Sequence, residues 1–315
     1  MTRKEILLLL TLAAINFTNI MDFMIMMPLQ EFLERSFDIS PRQFGFLVSA
    51  YAFSAFTAST TASFIVDRFD RKHVLFFAFS GLIIGTFACG FASSYHLLLA
   101  ARIVAGFFGG LISAQALSIV ADSFPYEKRG RAMGILMSGF ALATVAGVPI
   151  GLYIAAESNW QVPFIGISIF GILLLLVALA VIPGMRGHIR PKGDQNIFAV
   201  YKSVVSSRNQ QYSLLMMLTL IFAHFATIPF IAPYLTGNTG FLQSDLPLMY
   251  FFGGLSFVIV SPIVGKLSDK FGKHKVFTVL LLTAIIPVYL LTHLEPAPYY
   301  HILTVTTLFF IFGGG

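Results

Sequence analysis

Nine long apolar runs, and the opening of a tenth, leave this chain few ways to fold. They occupy about 6 to 28, 43 to 64, 74 to 93, 97 to 120, 132 to 155, 161 to 182, 213 to 235, 246 to 267 and 276 to 293, with a further run opening at Tyr299. A helix needs about 20 apolar residues to cross the hydrocarbon core of a bilayer. No water is available there to satisfy an exposed backbone, so each run is expected to close its own hydrogen bonds as a helix. Composition agrees: 57% of the 315 residues are hydrophobic and 11% charged, against roughly a quarter charged in ordinary globular domains. A water-soluble fold has nowhere to bury that much apolar surface. The sequence predicts an all-α, multi-pass membrane protein whose first partner is the lipid bilayer.

Basic residues orient the bundle. With the N-terminus in the cytoplasm, the inner segments hold 17 of the 20 Lys and Arg, while Arg35 and Arg42 fall outside and Arg102 lies within a span. The net charge of +6 is then a matter of topology and does not call for nucleic acid. The opening Met-Thr-Arg-Lys resembles a signal peptide, but the apolar run continues through Asp22 to Pro28 without a convincing cleavage site. An uncleaved first span is expected. The tenth run reaches Gly315 without a flanking charge, and the expectation is a truncated chain lacking the rest of that span and two more. The single Cys89 sits in an apolar run and can form no internal disulfide.

One short hydrophilic signature occurs twice, from Ser63 to Lys72 and from Gly265 to Lys273, with Asp67 and Asp269 lying 202 residues apart. This repetition predicts a duplicated bundle: a six-helix half at 1–182, a cytoplasmic linker at 183–212 and an incomplete second half at 213–315. In the linker, Ile197, Phe198, Tyr201, Val204 and Val205 recur at helical spacing. They fit either a short amphipathic helix on the inner membrane surface or a plain basic linker. The charges of the repeated loop can tie the inner ends of neighbouring helices together. The break after the fourth span offers Asp122, Glu127, Arg129 and Arg131 as partners. The alternatives are an inner latch that opens and closes, or charges that only set topology.

The doubled loop resembles the Gly-x-x-x-Asp-Arg-x-Gly-Arg-Lys loop of the major facilitator superfamily of secondary transporters. Asp67, Arg68, Arg71 and Lys72 match its first copy, with Ser63 and Asp70 replacing both glycines, whereas the second copy keeps them as Gly265 and Gly272. The resemblance implies an all-α fold of two six-helix halves, cut here within the tenth span. It also implies a cytoplasmic gate around Asp67, Arg68, Asp70, Arg71, Asp122, Glu127, Arg131, Asp269 and Lys273. The two gates are expected to differ, with the tighter ionic network around Asp67, Asp70 and Arg71.

An ionisable group near the bilayer centre costs at least about 2.5 to 3.5 kcal/mol on insertion scales, so Asp22 and Arg102 need a reason. Counted along ideal helices, they lie roughly 8 and 9 Å to the outer side of the midplane, at depths where they can meet. Arg102, followed by Gly106, resembles the family's fourth-span Arg-x-x-Gln-Gly, with Ala105 at the Gln position. In related antiporters that Arg is thought to influence proton exchange. The resemblance makes Asp22 the candidate proton carrier, since burial and a neighbouring Arg act on a carboxyl's proton in opposite senses; the alternative is a static ion pair. Asn16, Asn19, Gln115 and His224 are further polar groups in spans. They are available to a substrate cavity or to single interhelical hydrogen bonds. Pro229 and Pro233 are expected to bend the outer half of the seventh span.

In the fifth span, Gly147, Pro149 and Gly151 offer a smooth face and a broken backbone ladder. They partly match the Gly-x-x-x-Gly-Pro-x-x-Gly-Gly signature of the antiporter branch, with Val148 inserted and Leu152 in place of the final Gly. No phosphate-binding loop and no metal-spaced Cys/His set occurs, so neither a cofactor nor enzymatic chemistry is expected. The implied activity is proton-coupled efflux of small or drug-like molecules from the bacterial inner membrane. The alternatives are a sugar or metabolite exporter or symporter, or a receptor or scaffold on the same bundle.

Overall fold

A computed structural model describes residues 1–185 and 205–313. Helix follows helix along the described chain: α1 (Arg3–Ile25), α2 (Gln30–Phe37), α3 (Pro41–Ile65), α4 (Arg71–Gly90) and α5 (Tyr95–Ser123). α6 (Tyr126–Leu142) continues through a π-turn at Ala143–Gly147 into α7 (Val148–Glu157), and α8 (Val162–Val181) closes the first set. Past the linker come α9 (Arg208–Thr227), a 3-10 turn at Ile228–Phe230, α10 (Ile231–Asn238), α11 (Leu246–Phe271), α12 (Lys273–Thr292) and α13 (Tyr299–Gly313). Ile197, Phe198, Tyr201 and Val204 of the suggested amphipathic stretch lie outside the described residues.

Among the described residues, eight helical stretches are long and apolar enough to cross a membrane. With α3 and α13, the rods stand where the apolar runs put them. α2 is the addition that hydropathy does not announce. It lies in the loop between the first two spans, held by side-chain pairs one turn apart (Gln30 with Glu34, Arg35 with Glu31) and stopped by Asp38 at φ 51°.

Local chemistry sets the helix starts. Thr2 and Glu5 form a reciprocal capping box on α1, as Ser40 and Gln43 do on α3, where Pro41 fills the first turn. Ser94 caps α5 and Asp70 caps α4. The two copies of the repeated loop turn differently at equivalent positions. Gly272 takes φ 93°, which favours glycine, whereas Asp70 takes φ −60° and accepts from the Lys72 amide at 2.9 Å.

α5 is wedged between α3 and α4 by small residues: a Cβ on Gly85 would come within 2.6 Å of the Ala105 backbone nitrogen. The first six rods meet the later ones where α11 lies on the π-turn. A Cβ on Gly254 would be 2.9 Å from the Thr144 carbonyl carbon and from Val145 Cα. Two apolar cores result. One joins Ile25, Leu29, Trp160 and Phe164 to Leu235, Met249, Leu291 and Ile302, and so ties both sets together at the end where α2 lies. The other, around Leu12, Phe79, Ile119, Phe124 and Ile182, belongs to the first six rods alone.

Candidate functional site

α1, α3, α4 and α5 bring their polar side chains to one place inside the apolar bundle. Asp22, three residues before the end of α1, receives Arg102 of α5: Nη1 donates to Oδ2 at 3.1 Å and to the Asp22 backbone oxygen at 3.1 Å. Both side chains are 0% exposed. Asp22 Oδ1 accepts from the Thr86 hydroxyl of α4 at 2.8 Å. The Tyr51 ring of α3 covers the guanidinium, with Arg102 Cζ 4.3 Å from its centroid. That contact matters because Arg102 Nε and Nη2 are buried without a hydrogen-bond partner among the described residues. A ring face offers buried N–H groups partial electrostatic compensation.

A polar thread leads on from this pair. The Tyr51 hydroxyl donates to Asn19 Oδ1 at 3.3 Å, and Asn19 Nδ2 donates to Ser113 Oγ at 3.1 Å. Phe23 lies against both Tyr51 and Phe225 of α9, with centroids at 5.1 and 5.7 Å, so the cluster extends to the second set of helices. Gln115 is buried on α5 with its Oε1 unpartnered among the described residues, and Asn16 reaches the Leu136 carbonyl at 3.5 Å, away from the pair. The His224 side chain lies outside the described residues.

Sequence reasoning singled out Asp22, Arg102 and Asn19 but passed over Tyr51, Thr86 and Ser113, and Cys89, whose buried thiol lies beside the Arg102 guanidinium. Thr86 and Cys89 are three residues apart, on one face of α4. That spacing was readable. A buried Thr in a helix, however, ordinarily bonds its own preceding turn, so spacing alone does not mark one that reaches another helix.

At the other end of the bundle the expected gate is brought together only in part. Arg71 Nε meets Asp122 Oδ2 at 3.2 Å, joining α4 to α5. Asp70, expected as a salt-bridge partner, also works on the backbone. Besides capping α4 its Oδ1 accepts from the Met185 amide at 2.9 Å, and the Arg71 amide donates back to the Met185 carbonyl at 3.3 Å. The carboxylate that replaces a family glycine thus pins the start of the linker to the loop. Arg129, offered as a latch partner, instead donates to the Phe124 and Ala121 carbonyls at 3.0 and 2.8 Å and closes the end of α5. Arg68, Glu127 and Arg131 are exposed and form no ion pair among the described residues. The side chains of Asp67, Asp269 and Lys273 lie outside the described residues.

In the fifth span, Gly147 and Gly151 both face α1: a Cβ would come within 2.6 Å of Met21 Sδ at the first and 2.7 Å of Ile25 Cδ1 at the second. Pro149 sits in the first turn of α7, just past the π-turn, where its missing amide is least costly. Beside these glycines lies an apolar cavity of about 360 Å³, lined by Phe17, Met21, Gly147, Gly151, Gly166 and Phe170 among others.

The sequence profile of the Major Facilitator Superfamily matches residues 12–315. The chain belongs to that family. An uncharacterized MFS-type transporter of Bacillus subtilis (strain 168), YceJ, is 28% identical over 254 residues, covering 81% of this chain and 65% of its own length. A probable sugar efflux transporter of Helicobacter pylori (strain 26695) is 24% identical over 238 residues, covering 76% of this chain and 60% of its own. The chain thus spans less than two thirds of the length of either relative. A crystal structure of a bacterial homologue of the human lysosomal transporter Spinster, inward-facing and unoccupied, superposes with a TM-score of 0.75 at 20% identity. It covers 99% of this major facilitator chain and 74% of that one, and supports the fold.

Proposed function

We propose that this protein is a secondary transporter that exports small organic molecules in exchange for protons, with Asp22 as the proton carrier and Arg102 as its counter-charge. The observation that carries the reading is the Asp22–Arg102 pair at 3.1 Å, with both side chains 0% exposed inside the spans. Charges in that position are costly and commonly mark an ion or substrate pathway. Asn19, Gln115 and His224 are assigned to the adjoining substrate cavity, and the Arg71–Asp122 cluster to the cytoplasmic gate. Among the described residues, the apolar core shared by both sets of helices lies at the α2 end, which supports a state closed on that side. Alternating access then consists of the two sets rocking about this contact. The placement of Lys and Arg supports a cytoplasmic N-terminus, and the bacterial relatives support the inner membrane.

One proton moving inward supplies about 2.3 kcal/mol per 100 mV. That sustains a roughly fiftyfold solute gradient at about 1.4 kcal/mol per tenfold. The relatives named as probable sugar efflux transporters support sugars as the first substrate class to test, ahead of drug-like molecules. The test is efflux from proteoliposomes of the full-length protein under an imposed pH gradient, with mono- and disaccharides and a panel of drug-like cations. Gradient-driven flux that Asp22→Asn abolishes is expected. Flux indifferent to the gradient would end the proton-exchange reading, and no flux with any compound would favour a receptor or scaffold.

A further inference from the structure

We propose that Thr86 is the positioning residue for proton exchange at Asp22: its hydroxyl donates to Oδ1 while the carboxylate is charged and turns to accept once that oxygen is protonated. This deepens the exchange reading above and rests on it. The two oxygens of Asp22 are held by different chemistry, Oδ2 by Arg102 Nη1 at 3.1 Å and Oδ1 by Thr86 Oγ1 at 2.8 Å. A guanidinium carries only donors. A proton placed on Oδ2 would therefore face an N–H with no lone pair to receive it. A hydroxyl is donor and acceptor at once, so Oδ1 is the oxygen on which a proton keeps a partner.

The turned hydroxyl needs somewhere to send its own hydrogen. Threonines elsewhere in these helices show the place: Thr11, Thr18, Thr144 and Thr306 each donate to the backbone carbonyl one turn earlier, at 2.8 to 2.9 Å. For Thr86 that acceptor is the carbonyl of Leu82. On protonation one O–H bond of a hydronium ion breaks, leaving water, and one forms at Asp22 Oδ1; the Thr86 hydroxyl rotates and no other covalent bond changes. Arg102 keeps its charge, held by the Asp22 backbone oxygen at 3.1 Å and the Tyr51 ring face at 4.3 Å. Those two contacts do not depend on the carboxylate, so the guanidinium keeps its place, less stably held, while its counter-charge is lost.

Among the described residues, the ionisable group that acts on Asp22 is Arg102 from α5, and the Asp22 charge in turn reaches Tyr51 of α3 and Cys89 of α4. α6, α7 and α8, which also pack on α1, contribute none of these. α9 carries His224, whose side chain lies outside the described residues.

The experiment is an infrared pH titration of the purified full-length protein, following the carboxylic-acid carbonyl band that Asp22→Asn removes. It needs no substrate. In Thr86→Val the midpoint of that band is expected to move by about one pH unit, the equivalent of about 1.4 kcal/mol, while Thr86→Ser stays within about a third of a unit because it keeps the hydroxyl. Thr86→Cys fills similar space with a weak donor and is the second variant should Val not fold; its midpoint is expected to move as Val's does. Native-like midpoints in Val or Cys, or a shift in Ser as large as theirs, overturn the role of Thr86. Absence of any band sensitive to Asp22→Asn in the native protein overturns the carrier reading itself, a different result from a band that ignores Thr86.

Discussion

Neutralising one member of the Asp22–Arg102 pair should damage the protein more than neutralising both. At 3.1 Å and full burial, an effective dielectric of about 20 gives an attraction of about 5 kcal/mol. That gross figure is offset by the cost of taking two charges out of water. The asymmetry survives the offset, because removing one partner leaves the other charge buried and uncompensated, at about 3 to 5 kcal/mol. Asp22→Asn alone and Arg102→Gln alone are each expected to lower the unfolding temperature by at least about 6 °C, taking about 2 °C per kcal/mol from larger soluble domains. Asp22→Asn with Arg102→Gln should recover part of that loss, giving a coupling of about 2 to 3 kcal/mol in the cycle. Thermal unfolding in detergent can be followed by fluorescence of Trp160, the chain's one tryptophan, buried against Phe37 and Phe164. Single variants melting within about 2 °C of the native protein, or a double variant as unstable as the sum of the singles, would refute the reasoning.

Gly254→Leu forces a side chain into a space where even a Cβ lies 2.9 Å from the Thr144 and Val145 backbone, an overpacking of about 1 to 3 kcal/mol. It should slow crosslinking between cysteines placed at Phe140 and Phe257, whose rings lie 5.7 Å apart, and an unchanged rate counts against this contact as the joint between the two sets. Asp70→Ala removes both the α4 cap and the acceptor for the Met185 amide. A hydrogen bond to a charged group is worth about 1.5 to 3 kcal/mol, so hydrogen exchange at Met185 should quicken by about tenfold or more; exchange at the native rate would refute the tether.

Much of this was legible in the chain, for physical reasons that differ from residue to residue. The bilayer forbids unpaired backbone, so length and hydropathy alone fix where the helices lie, from Leu7 in α1 to Leu291 in α12. Capping residues such as Thr2 and Ser40 mark their starts by side-chain chemistry that acts within one turn. That Asp22 and Arg102 stand at levels where they can meet followed from helical rise, because both sit on long regular helices. Other features depended on which helices touch. Whether Thr86 bonds its own turn or a neighbour's carboxylate is set by the approach of α4 to α1, and no local pattern encodes that distance. Arg129 carried the same charge as any latch residue, yet its place past the end of α5 turned it to backbone carbonyls. Asp70 read as an added ionic partner; the return of the chain at Met185 gave its carboxylate a second backbone amide, beyond the Lys72 amide of its own cap. The sequence by itself determined the long apolar helices and the charges they bury, since each follows from interactions within a helix or between a helix and lipid. Tertiary structure alone decided the partners of those charges, because partner choice depends on distances between helices far apart in the chain.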